Sequence, residues 1–184
     1  MLGNSQTTGS QQEEFKIKSL TKSELDALLA ATPEPDRLMF LTCFNHGLRV
    51  SEVINLEASN IVDEHLCIQR LKKSRRTTQP LLPNEKDGLL ALAKQQGKFF
   101  PISRWTADRR LKEYGKKAGI PEFKLHMHAL KHSCGRLAYL GGMGIPELQA
   151  YLGHKNGSNT MIYLESSEEE SCNAFAAAVG KGDK

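Results

Sequence analysis

No stretch of this sequence is apolar for long enough to cross a membrane, and residues 1–12 are polar where a secretory leader would need an apolar core. A cytoplasmic protein is therefore the expectation. The four cysteines, Cys43, Cys67, Cys134 and Cys172, are widely spaced and form no CxxC pair, which points to a reduced intracellular chain. Internal repeats are absent. So is the glutamate of an HExxH zinc helix, since the paired histidines read His128-Ala-Leu-Lys-His132. Carboxylates are scarce around those histidines, and Lys131 would repel a cation. A metal-dependent hydrolase is thereby disfavoured, although His126 adds a third imidazole nearby. Excess charge is modest, at +4, yet the acidic runs Glu13-Glu14 and Glu168-Glu169-Glu170 sit near the ends. The middle of the chain is correspondingly basic, which fits a polyanionic partner such as nucleic acid.

What is present is a chain of ordinary hydrophobic content, 39%, long enough at 184 residues for one domain with tails. Residues 1–14 are rich in Gly, Ser, Thr and Gln and read as a disordered tail. Thr21-Lys-Ser-Glu24 is a capping box, with Leu20 and Leu25 as its hydrophobic staple, and predicts a helix over 22–31. Pro33 and Pro35 separate it from a nearly all-apolar helix over 36–45, closed by Gly47. Leu48-Arg49-Val50-Ser51-Glu52 then opens a short helix through Leu56. Arg49 thus sits at a tight corner, where the plainest reading is an ion pair with Glu52. His65 to Leu71 alternates as a strand, and the chain returns through Thr78 to Leu82 after a turn with four cations in five residues, Lys72, Lys73, Arg75 and Arg76. This predicts a β-hairpin within a small three-stranded sheet.

Asn84 is placed to cap a helix running to Gln96, and Thr106 one running to Ala118. The second carries Leu111 and Tyr114 on one side and Arg109, Arg110, Lys112, Lys116 and Lys117 around the rest. Such a face can lie along a phosphate backbone, though charged helix faces are most often simply solvated. A helix over 129–140 follows, then one starting near Pro146 and ended by Gly153, then one capped by Ser158 and carrying Tyr163. A last capping box, Ser167 to Glu170, starts a helix of small apolar residues. On the 129–140 helix, three- and four-residue spacings put His128, Lys131 and His132 on one face, with Leu130, Cys134 and Leu137 on the buried side. His132 also reads as a histidine satisfied by a backbone carbonyl.

Gly47-Leu48-Arg49-Val50-Ser51-Glu52, His128-Ala-Leu-Lys-His132, Leu152-Gly153-His154 and Tyr163, nine residues after His154, together resemble the tyrosine recombinase (phage integrase) family. The order and spacing agree over roughly Phe15 to Tyr163. The RLKK hairpin and the LKHSCG stretch are most similar to the short fimbrial-switch invertases. The resemblance implies a mainly α domain with a small β-sheet, spanning 15–184. It implies site-specific cleavage and rejoining of duplex DNA without metal, ATP or cofactor.

By the same resemblance, Tyr163 is the nucleophile that forms a 3′-phosphotyrosyl link. Arg49 holds the non-bridging oxygens. Lys72, eight residues before Pro80, protonates the leaving 5′ oxygen. His128 is the acid/base partner, and His154 bonds the phosphate. Lys131 stands where the family has a second arginine and cannot make its bidentate contact, so looser phosphate geometry and slower cleavage are expected. Lys73, Arg75, Arg76, Arg109 and Arg110 are the expected DNA contacts. The implied working complex is a tetramer on two duplexes in the bacterial nucleoid, with accessory DNA-bending proteins as further partners. The helix at about 168–180 would dock on a neighbouring protomer. Two rivals share the fold or the chemistry: a catalytically impaired DNA-binding regulator, which Lys131 favours, and a relaxing enzyme of the type IB topoisomerase class.

Overall fold

The computed structural model describes residues 19–70, 75–155, 157 and 160. The order of elements is α1 (Lys22–Ala31), α2 (Asp36–Asn45), α3 (Val50–Val53), β1 (Ile61–Val62), β2 (His65–Ile68), β3 (Thr77–Pro80), α4 (Lys86–Ala93), α5 (Arg104–Lys117), α6 (Met127–Leu140) and α7 (Ile145–Leu152). The strands form one antiparallel sheet in the order β1-β2-β3, with Leu66 opposite Ile61 on one side and Gln79 on the other. The mainly α class with a three-stranded sheet is therefore the one observed. No helix among the described residues is long and apolar enough to cross a membrane.

Local chemistry explains most boundaries. Thr21 and Glu24 cap each other's backbone amides as expected, and Leu20 and Leu25 are both buried. Helix α2 is the central strut, because Leu38 to Cys43 are all buried and leave it no solvent face of its own. Around it pack Leu25 and Leu28 of α1, Leu66 and Ile68 of β2, Leu89 of α4, Leu111 of α5 and Leu130 of α6. A smaller apolar cluster of Cys134, Leu148 and Leu152 ties α6 to α7.

Four boundaries differ from the sequence reading. The helix after Arg49 stops at Val53 instead of reaching Leu56. Asn84 does not cap α4, since its side-chain oxygen accepts from Asn45 Nδ2 at 3.0 Å, and α4 spans only Lys86–Ala93. Ser103, not Thr106, caps α5, its hydroxyl accepting from the Thr106 amide at 3.1 Å. Helix α6 starts two residues earlier than expected, because the His126 ring caps it by accepting from the Ala129 amide at 3.0 Å. The helices expected around Tyr163 and after Ser167, and the tail 1–14, lie outside the described residues.

Candidate active site

The site is assembled where the corner after α2 meets α6, the base of the hairpin and the end of α7. The corner turns at Gly47, whose φ of +55° is left-handed, and an added Cβ would come within 2.4 Å of Leu152 Cδ2. Two residues on, Arg49 begins α3. Glu52 holds it from behind: one carboxylate oxygen accepts from the Arg49 amide at 2.8 Å, the other from Nη1 at 3.0 Å. Glu52 is buried, while a quarter of the Arg49 side chain stays exposed. The ion pair read from the sequence is thus present, and it aims the guanidinium instead of hiding it.

Helix α6 presents its residues differently from the sequence reading. Lys131 is only 2% exposed and lies inward, its Nζ donating to the Gly47 carbonyl at 2.6 Å. His128 is exposed and His132 half-buried, with their rings edge to face at 4.4 Å. The spacing rule grouped all three on one face. In the packed helix, Lys131 sits on the seam between that face and the core and turns to the corner's carbonyl.

The turn after α7 places His154. Gly153 adopts φ +67°, and a Cβ there would stand 2.9 Å from the Arg75 carbonyl and 3.0 Å from Arg70 Cγ. Only glycine fits this approach. The Arg75 amide donates to the Gly153 carbonyl at 3.1 Å. Arg70 and Arg75, the described ends of the segment holding Lys72 and Lys73, are both seated on the Leu-Gly-His turn. His154 is buried, with Nδ1 and the Thr160 hydroxyl 3.0 Å apart. Lys72, Lys73 and Tyr163 themselves lie outside the described residues.

Electrostatically the site is a cluster of cations with one buried acid. Lys131 is pushed down to about 8, by burial first and then by Arg70 and Arg49, while Glu52 opposes the shift. His154 falls to about 4, again by burial first, followed by Lys131, Arg49 and Arg70. His128 is lowered by the surrounding protein and then by Lys131. His132 falls to about 4 through burial and its neighbours His128 and His126. The histidines are therefore neutral near pH 7, and the uncompensated positive charge suits an anion bearing several oxygens.

Arg70 was not singled out by sequence reasoning, yet it is buried among the site's elements and donates to five acceptors. Of the expected DNA contacts, Arg75 and Arg76 are exposed. Arg109 is half-exposed and stacks over Trp105, 5.6 Å from its ring, with Trp105 itself 72% exposed. Arg110 is engaged elsewhere, donating to the buried Asp36 at 2.7 Å.

A family model described as the phage integrase family matches residues 18–170 of the chain. The chain belongs to the phage integrase family. Among its relatives is the type 1 fimbriae regulatory protein FimB of Escherichia coli K12, which is 37% identical across 83% of this chain and 86% of its own length. The fold is similar to that of the XerA recombinase, with a TM-score of 0.73 at 21% identity over 87% of this chain. It is also similar to the XerH site-specific recombinase bound to its palindromic difH substrate, at TM-score 0.72, 17% identity and 91% coverage. This tyrosine recombinase chain spans 64% and 55% of those two solved chains.

Proposed function

We propose that this tyrosine recombinase cleaves and rejoins duplex DNA at specific sites, through a covalent 3′-phosphotyrosyl intermediate. The observation that carries the reading is the convergence of Arg49, His128, Lys131 and His154, from three separate segments, on one electropositive centre. The Tyr163 oxygen attacks the scissile phosphorus and its proton passes to neutral His128. The phosphorus–O5′ bond breaks, and Lys72 gives its proton to the leaving oxygen. Arg49, steadied by Glu52, takes the non-bridging oxygens as they gain charge. His154, whose Nδ1 lies 3.0 Å from the Thr160 hydroxyl, hydrogen-bonds the phosphate. Attack by a free 5′ hydroxyl reverses the step, and the phosphotyrosyl bond conserves the energy for rejoining.

Duplex DNA is the partner, contacted by Lys73, Arg75, Arg76 and Arg109, and four protomers act on two duplexes. The segment at about 168–180 is proposed to join neighbouring protomers in that assembly.

A second reading, a DNA-binding regulator with an impaired centre, is favoured by one observation: the Lys131 ammonium is directed to the Gly47 carbonyl. One experiment separates the two. Wild-type protein enriches its site from a random duplex pool, and a nicked duplex carrying that site is offered to wild type and to Tyr163→Phe. A covalent adduct formed by wild type alone is the expected result. Tight binding by both proteins with no adduct establishes the regulator.

A further inference from the structure

We infer that Arg70 is a positioning residue for strand cleavage, holding the arginine corner, the lysine hairpin and the histidine turn in one frame. The inference rests on the recombinase reading above. Arg70 follows β2 and its side chain is fully buried. Its Nε donates to Thr77 Oγ1 at 3.1 Å, which joins the two described ends of the hairpin, after β2 and at the start of β3. One terminal nitrogen, Nη1, donates to the Gly47 carbonyl at 3.0 Å and to Glu52 Oε2 at 3.3 Å. The other, Nη2, donates to the His46 carbonyl at 2.8 Å and to the Tyr151 carbonyl at 3.2 Å. One rigid fork therefore touches three parts of the molecule that lie far apart in sequence.

Three of those acceptors belong to the segments that carry the site's groups. Glu52 is the carboxylate that aims Arg49, and Arg70 supports the same oxygen, Oε2, that receives the Arg49 amide. Gly47 O is also the acceptor of Lys131. Tyr151 lies three residues before His154, and its carbonyl also accepts from Gln79 Nε2 at 2.7 Å. A lysine at position 70 keeps one charge but cannot span these acceptors, because an ammonium is a point donor and a guanidinium a planar fork. Arg70 itself is buried beneath these segments and does not face a phosphate. Its contribution is to the relative position of Arg49, Lys72 and His154, an arrangement whose rate is sensitive to displacements near 1 Å.

The test uses the full chain as Arg70→Lys and, separately, as Thr77→Val, which removes only the hairpin acceptor. Three quantities are measured: the rate of Tyr163-dependent adduct formation on the nicked duplex, affinity for the same duplex uncut, and thermal unfolding. The expected result is a cleavage rate lower by about 100-fold for Arg70→Lys, with a smaller loss for Thr77→Val, while affinity for uncut duplex is retained. Unchanged cleavage in both variants overturns the inference. So does a loss of cleavage matched by equal losses of affinity or of folded protein in both, which would make Arg70 a structural strut only. If Arg70→Lys does not fold, Thr77→Val decides: slowed cleavage with retained affinity supports the role, and wild-type cleavage overturns it. A wild type that gives no adduct defeats the reading of the function itself, and this inference with it.

Discussion

Lys131 stands where the resemblance implies a second arginine, and its surroundings set what it can do. Its ammonium is buried, shares the Gly47 carbonyl with Arg70, and lies in the field of Arg49. Burial and like charge favour its neutral form, so its folded value of about 8 lies below the ordinary 10.5. The sign follows directly. Below about pH 8 the residue is charged in both the folded and unfolded chains and its burial is a full penalty. Between about 8 and 10.5 the unfolded chain holds more protons, so this contribution to stability improves as pH rises. A bound phosphate reverses the balance, because it stabilises the ammonium. Binding of inorganic phosphate at pH 9 should therefore take up protons. Titration calorimetry in buffers of different ionisation enthalpy reads this directly, and Lys131→Met should abolish it. Buffer-independent heats in the wild type would contradict the reading. Lys131→Arg should speed adduct formation about tenfold, since a fork can keep the carbonyl and also reach the phosphate, adding one charge-assisted bond of roughly 1.5 kcal/mol. A rate equal to or below wild type would show that the lysine is the better-fitted residue here.

At the level of elements, the Leu-Gly-His turn and the hairpin are one device. Gly153 is left-handed and packed against Arg75 O, Arg70 Cγ and Thr77 Cγ2. Gly119 is left-handed too, at φ +72°, but an added Cβ there meets nothing within 4 Å. Comparing the two alanine variants separates backbone strain from lost docking. Gly119→Ala should cost about 1–3 kcal/mol of stability and leave cleavage intact. Gly153→Ala should cost more and also slow cleavage, because the hairpin base must move away. Equal behaviour of the two in unfolding and cleavage assays would remove the docking role. Local signals of this kind explain what could be read in advance. Capping at Thr21 and the apolar run of α2 are decided within a turn or two of chain, and both helices have the boundaries expected. Asn84 does not cap its helix because Asn45, far away in sequence, competes for its side chain. Arg70 could not be recognised at all, since most of its acceptors are backbone carbonyls that any residue supplies. Lys131 lies on α6 as its spacing implies but points inward, for helical periodicity does not say which side of the seam meets a carbonyl.

Across the whole molecule, the basic side chains among the described residues divide into those engaged within the protein and those left open to DNA. Arg70 and Lys131 are buried, Lys124 pairs with Glu24, and Arg110 pairs with Asp36. Arg75 and Arg76 are exposed at the hairpin, whose base adjoins the histidine turn. The two groups should separate in the salt dependence of binding. Each phosphate contact contributes about −0.9 to the slope of log affinity against log salt. Arg75→Ala and Arg76→Ala should each reduce the slope by about one such unit and weaken binding to all duplexes alike. Arg110→Ala should leave the slope unchanged and lower thermal stability, since it strands the buried Asp36 carboxylate with only the Tyr114 hydroxyl at 3.3 Å. A reduced slope for Arg110→Ala would mean that DNA draws this arginine away from Asp36, and that α5 is remodelled on binding. An unaltered slope for both hairpin variants would move the phosphate path away from the hairpin and toward the Trp105–Arg109 end of α5.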